Sequence, residues 1–145
     1  MKGSDPTRWL PVDAAAYDSD ETVVRRGVEF HVFLSPYDLP EAVRGRLDPA
    51  AKRFVIEFRY LSEERATEVV VDANVRFHVG KRSRRLQSIE VDVRGLGATQ
   101  IALRIDQAID SLPSKLRASH VPRANFAVAK SVFHRKQPEL LATIA

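Results

Sequence analysis

The chain has 145 residues, of which 44% are hydrophobic, so its size and apolar content suit one ordinary globular domain. It contains no cysteine, which excludes disulfide bonds, thiol catalysis, cysteine-ligated zinc and iron–sulfur clusters. The sequence has no apolar run as long as a signal peptide or the roughly 18 residues of a membrane-spanning helix. We therefore expect a single cytoplasmic domain, residues 1–145, without a membrane partner.

The net charge of +4 is unevenly distributed along the chain. Residues 1–80 hold 11 Lys and Arg against 14 Asp and Glu, whereas residues 81–145 hold 12 against 5. Residues 111–138 contain no acidic side chain. A basic second half favours an anionic partner, although net charge governs association and solubility and does not determine the fold.

The first third of the chain predicts an arm followed by two strands. Residues 1–22 are acidic and contain two prolines, which indicates an irregular N-terminal arm. Residues 28–34 and 53–61 alternate apolar and polar side chains, as half-buried strands do. Between them, Pro40 predicts a short helical turn over residues 40–44, because proline is tolerated at the first position of a helix.

The strongest alternation lies in residues 67–93 and predicts a long β-hairpin. Odd-numbered residues from Val69 to Val79 are apolar, and the return strand repeats the pattern from Ile89 to Val93. Placing Val75 opposite Ile89 keeps both faces of the hairpin consistent. Sequential strands joined by short turns predict an antiparallel meander whose apolar face needs a cover.

The C-terminal third predicts that cover. Apolar residues from Ile101 to Leu112 recur at helical spacing, and Pro113 ends the pattern. Residues 101–105 also alternate as a fifth strand would, so both interpretations stay open. A second helix is predicted over residues 123–135, with Pro138 beginning a last turn. The predicted class is α+β: a meander of four strands, or five, covered on one face by two C-terminal helices.

Basic residues form two candidate groups for binding phosphates or nucleic acid. Four lie in the hairpin turn and three on the second helix: Lys81, Arg82, Arg84 and Arg85, then Lys130, Arg135 and Lys136. Cations and exposed backbone N–H groups of a turn can both hold phosphates. The turn lacks the P-loop pattern, and the chain shows no known docking motif. The alternative is a solvated hairpin tip that resists aggregation.

The polar face of the predicted sheet contains the residue types used in acid–base catalysis and metal binding. It comprises Glu29, His31, Glu57, Arg59, Asp72, Asn74, Arg76, His78, Ser88, Glu90 and Asp92. No His-Glu-x-x-His or His-x-His spacing occurs among them, and alternating charges on a solvated face account for the pattern. We therefore assign no catalytic residue, no metal ligand and no cofactor.

Three classes of function follow, in decreasing order of preference. The first is a small noncatalytic binding or regulatory module that acts through protein contacts, with a partner or as a homo-oligomer. An exposed strand edge, or the apolar residues Leu140, Leu141 and Ile144, would supply that contact. The second is a nucleic-acid-binding protein that uses the basic turn and the basic helix. The third is an enzyme or metal-binding protein that uses the polar sheet face.

Overall fold

The computed structural model describes residues 8–13, 21–25, 27–32, 38–116 and 122–144. In these ranges the elements are β1 (Leu10–Pro11), β2 (Glu21–Arg25), β3 (Val28–Val32), β4 (Ala42–Asp48), β5 (Arg53–Arg59), β6 (Ala66–Val70), β7 (Val75–Gly80), β8 (Leu86–Asp92), α1 (Ala98–Lys115), α2 (Arg123–Leu140) and a final 3₁₀ turn, Ala142–Ile144. Six strands form one antiparallel sheet in the order β1-β4-β5-β8-β7-β6, whereas β2 and β3 form a separate two-stranded sheet. None of the described helices is long and apolar enough to cross a membrane.

This arrangement confirms the predicted α+β class, because α1 and α2 pack on one face of an antiparallel sheet. The strand order differs from that of a simple meander. Strands β6, β7 and β8 are consecutive neighbours, but β8 returns beside β5, which is the order of a Greek key. The connection 60–65 therefore crosses from β5 to the outer edge of the sheet. It does so at the end of the sheet where the β7–β8 turn lies.

The predicted hairpin over residues 67–93 is wrong in its first strand and in its register. The chain turns at residues 71–74, so β6 and β7 pair with each other as separate strands. The Asp72 carboxylate stabilises this turn by accepting hydrogen bonds from the Asn74 and Val75 amides at 2.7 and 3.1 Å. Val75 pairs with Val91 instead of Ile89. This shift of two residues keeps the side chains from Val75 to His78 on their predicted faces, because the period of a strand is two. An irregularity between His78 and Val79 then pairs Val79 with Leu86.

Two further expectations about the first third of the chain are wrong. Residues 40–44 form no helical turn, because Ala42–Asp48 is a strand that pairs along its whole length with β5. Strand β3 is not a neighbour of β5, so Glu29 and His31 lie outside the six-stranded sheet. Within the predicted irregular arm, Leu10–Pro11 pairs with β4 and residues 21–22 begin β2. Residues 1–7 and 14–20 of the arm lie outside the described residues.

Both C-terminal helices are confirmed, and each is longer than predicted. The alternative of a fifth strand at residues 101–105 is excluded, since α1 runs from Ala98 to Lys115. Each helix continues past its proline: α1 ends two residues beyond Pro113, and Pro138 lies inside α2. Leu140 and Leu141 are buried, so they belong to the core and do not form an exposed apolar patch.

A buried hydrogen-bond network ties the start of α2 to the sheet. The Asn125 side chain is fully buried and accepts a hydrogen bond from the Leu86 amide at 2.9 Å. Its Nδ2 donates to the Tyr60 hydroxyl at 2.9 Å and to the Asp38 carbonyl at 2.8 Å. The Tyr60 hydroxyl in turn donates to the Leu86 carbonyl at 2.6 Å. Burial raises the pKa of Tyr60 far above its ordinary value, so the phenol stays protonated and can donate.

Candidate functional site

The β7–β8 turn consists of four residues, 81–84, at the end of the sheet where the connection 60–65 crosses. Gly80 and Arg85, which flank these residues, are both buried. Lys81 and Arg82 are exposed, and Arg84 is half-buried with a left-handed backbone at φ 63°. The Arg84 amide donates to the Gly80 carbonyl at 2.9 Å and closes the turn.

The Glu64 carboxylate occupies the inner side of this turn. Its Oε1 accepts hydrogen bonds from the Ser83 hydroxyl at 2.7 Å and the Ser83 amide at 3.1 Å, and the Arg82 amide also contributes. Burial by itself raises the pKa of Glu64, but these bonds and the charge of Arg85 outweigh it and lower the pKa below its ordinary value. A Cβ at Gly80 would collide with this carboxylate, so the site requires glycine there. The turn amides of Arg82 and Ser83 are therefore already engaged and do not offer free donors to phosphate.

Arg85 is placed differently from the other three predicted turn cations. Its side chain is buried, and the guanidinium donates to Ser83 Oγ at 3.0 Å and to Ser62 Oγ at 3.1 Å. The guanidinium also lies 4.9 Å from the centre of the Tyr60 ring and 3.9 Å from the Glu64 carboxylate. Arg85 therefore supports the turn from within and does not present its charge to solvent.

Arg65 also lies beside the exposed cations of the turn, and the sequence did not predict this placement. Its carbonyl accepts a 2.7 Å hydrogen bond from the Lys81 amide, so the two residues are cross-strand neighbours. We call the four exposed or half-exposed cations at this place the basic end: Arg65, Lys81, Arg82 and Arg84. In the described part of the chain, none of these four side chains has a carboxylate within ion-pair distance.

The arginines on the open face of the sheet are all paired, in contrast to the basic end. Arg44 and Arg46 share the Glu57 carboxylate at 3.3 and 2.5 Å. The remaining pairs on this face are Arg53 with Glu90, Arg59 with Glu41 and Arg76 with Glu68, each at 3.2 to 3.4 Å. Partial burial raises the pKa of Glu57, but the hydrogen bonds from the two arginines prevail and lower it. The sheet face is thus largely self-neutralised.

The predicted cations of the second helix form a separate group. Lys130 donates to the Asp110 carboxylate of α1 at 2.8 Å, and this hydrogen bond raises the lysine pKa. Arg135 is exposed and Lys136 is half-buried farther along the helix. Asn125 anchors the start of α2 beside β8. Because an α-helix rises 1.5 Å per residue, Lys136 lies about 16 Å farther along the helix axis. The structure therefore does not join the two predicted cation groups into one patch.

Four of the predicted polar residues of the sheet face, Glu57, Arg59, His78 and Ser88, line a cavity of about 380 Å³. Inside it, His78 Nδ1 and Ser88 Oγ form a 2.9 Å hydrogen bond, with Trp9, Glu57 and Glu63 on the walls. No carboxylate among the described residues contacts the other His78 ring nitrogen, so the pair lacks the third group of a nucleophilic triad. The described residues also contain no cluster of three His, Asp or Glu that could hold a metal ion.

The fold and the site define an α+β protein with a six-stranded antiparallel sheet, two C-terminal helices and a cationic hairpin end. No protein family matches the sequence, and no curated protein or solved structure shows significant similarity to it. A function for this chain must therefore be inferred from the chemistry of the site itself.

Proposed function

We propose that the protein is a small noncatalytic binding module that holds nucleic acid through the basic end. The observation that carries this proposal is the contrast between four cations that have no carboxylate partner among the described residues and a sheet face whose arginines are all paired. Unpaired cations on a surface cost folding free energy through mutual repulsion, whereas a polyanion that approaches them gains favourable interactions and releases its counterions.

The turn holds these cations on a supported backbone. Glu64 and the buried Arg85 both form hydrogen bonds with the Ser83 hydroxyl, and the Gly80 amide donates to the Arg85 carbonyl at 2.8 Å. Because the turn is already ordered, binding does not have to order its backbone, and less of the interaction free energy is lost. This support favours a binding surface over a merely solvated hairpin tip.

A charge-removal variant tests the proposal. Replacing Lys81, Arg82 and Arg84 together with glutamine is expected to weaken binding to nucleic acid at least tenfold at low salt, and to lower the slope of log affinity against log salt by about 2.7. Fluorescence anisotropy titrations at several salt concentrations measure both quantities. Folding stability should change little, because these side chains form no ion pairs among the described residues.

A matched control removes three cations from the opposite end of the sheet. Lys52 and Arg94 flank a backbone hydrogen bond between the Val93 amide and the Lys52 carbonyl, and Arg104 lines a cavity beside the β6–β7 turn. The triple variant Lys52→Gln, Arg94→Gln, Arg104→Gln has the same net charge as the first variant. It also removes the pair between Arg94 and Asp92 at 3.6 Å, but the Arg94 side chain is 74% exposed, so folding stability should change little. If both variants weaken binding equally, net charge alone is responsible and the basic end is not the site.

A second candidate function is protein binding at the outer edge of β6. The Lys81 amide donates to the Arg65 carbonyl, and the Val71 amide donates to the Val75 carbonyl. The backbone N–H and C=O groups of odd-numbered residues therefore point toward β7, and those of Ala66, Glu68 and Val70 point away from the sheet. The opposite edge is β1, which is only two residues long and contains proline, a common protection against edge pairing. Strand β6 is five residues long and contains no proline, and no described strand pairs with its outer edge. We propose a second copy of this chain as its first partner.

The edge proposal predicts a Val70-dependent dimer. Val70 is 59% exposed on β6, and a Val70→Lys substitution is expected to shift the protein from dimer to monomer in sedimentation velocity, because a charge at the edge opposes strand pairing. Leu103→Lys is the matched control, since Leu103 is 58% exposed on α1 and far from the edge. A wild-type protein that stays monomeric at high concentration contradicts this candidate. The cytoplasmic location and the lack of catalysis remain predictions.

A further inference from the structure

We infer that the basic end binds duplex nucleic acid in preference to single strands. Its cations contact the phosphates of the duplex and do not contact the base edges. This inference rests on the proposed function and specifies its ligand. Three observations carry it: how far the turn can reach, where the aromatic rings lie, and what surrounds the tryptophan.

The turn is too short to enter a groove deeply. A two-stranded β-ribbon can enter the major groove, which is about 8.5 Å deep, only if the strands behind its tip are free of other packing. Here Val79 and Leu86 have no exposed surface, because both pack into the core directly behind the turn. In the turn itself only Lys81 and Arg82 are exposed, whereas Ser83 and Arg84 are half-buried. Long cationic side chains on such a tip reach phosphates along the groove edges but not the base edges.

None of the aromatic side chains that the structure describes offers a free platform for unstacked bases. The rings of Phe54, Phe58, Tyr60, Phe77, Phe126 and Phe133 are all buried. Base stacking on exposed rings is the usual source of single-strand affinity, at about 1–3 kcal/mol per base. Without it, a single strand offers only its phosphates, and their charge density is lower than that of a duplex.

Trp9 is the one described aromatic side chain that is only half-buried, and its surroundings disfavour nucleic acid. The guanidinium groups of Arg44 and Arg59 lie 4.4 and 5.0 Å from its ring centre and cover it. It lines the sheet-face cavity together with Glu63, and the two arginines are already paired, Arg44 with Glu57 and Arg59 with Glu41. A nucleic-acid strand at the basic end therefore gains no stacking partner here.

The test is a set of anisotropy titrations with the full chain. The probes are two duplexes of unrelated sequence, their separate single strands of equal length, and an RNA duplex of one of the sequences. We expect the three duplexes to bind within about threefold of one another, and at least about tenfold more tightly than the single strands at 50 mM salt. Four phosphate contacts predict a slope of about −3.6, which is an affinity loss of about 150-fold between 50 and 200 mM salt.

Two results would overturn the inference while leaving the proposed function intact. One is single-strand binding as tight as duplex binding, which would require a stacking surface. The other is a preference of more than about tenfold for one duplex sequence, which would require contacts to base edges. A failure of every probe to bind at 50 mM salt would instead overturn the proposed function and, with it, this inference.

Discussion

Replacing Arg85 with alanine is expected to lower the free energy of unfolding by about 3 kcal/mol. The guanidinium is 5% exposed, and it donates hydrogen bonds to Ser83 and Ser62 beside the Glu64 carboxylate. Its removal leaves Glu64 as a poorly compensated charge that is only 11% exposed. Breaking one side of a buried charged network costs far more than removing an exposed cation. Urea unfolding monitored by circular dichroism measures the change.

Two further variants make the Arg85 prediction specific. Arg82→Ala removes an exposed cation from the same turn and is expected to change stability by no more than about 0.5 kcal/mol. Adding Glu64→Gln to Arg85→Ala removes the unpaired charge and should restore about 1 kcal/mol, which a double-mutant cycle detects. If Arg85→Ala were as mild as Arg82→Ala, Arg85 would not support the turn.

The second large effect is expected at Asn125, where an alanine substitution should cost about 3 kcal/mol. The fully buried amide makes three hydrogen bonds that join α2 to β8 and to the segment before β4. Its loss leaves the Leu86 amide and the Asp38 carbonyl without these partners, and an unsatisfied buried polar group costs about 1–3 kcal/mol. Thermal unfolding together with denaturant titration measures the change.

The same network provides the controls for Asn125. Tyr60→Phe removes one hydroxyl but leaves the Leu86 amide bonded to Asn125, so it should cost about 1.5 kcal/mol, clearly less than Asn125→Ala. Gln107→Ala removes an exposed amide from α1 and should change stability by no more than about 0.5 kcal/mol. Equal losses for Asn125→Ala and Gln107→Ala would contradict the structural role assigned to Asn125.

These residues also show why much of the site could not be predicted. Arg85 has the same sequence context as its three basic neighbours, and no periodicity distinguishes a buried arginine from an exposed one. Its burial follows from Glu64 and Ser62, which reach the turn only because the connection 60–65 crosses that end of the sheet. Arg65 was missed for a related reason, since its pairing with Lys81 requires a strand break at residues 71–74 that contains neither glycine nor proline.

By itself, the sequence determined the α+β class, both helices, the inward face of β5, β6 and β7 and of β8 from Ile89 onward, and the excess of cations in the second half. These features follow from local periodicity and composition, and a two-residue register shift leaves them unchanged. Only the tertiary structure decided the strand order, the place of β4 in the sheet, and which cations have acidic partners. Those properties depend on contacts between residues distant in sequence, such as Glu64 with Ser83 and Asn125 with Leu86, and local patterns carry no information about them.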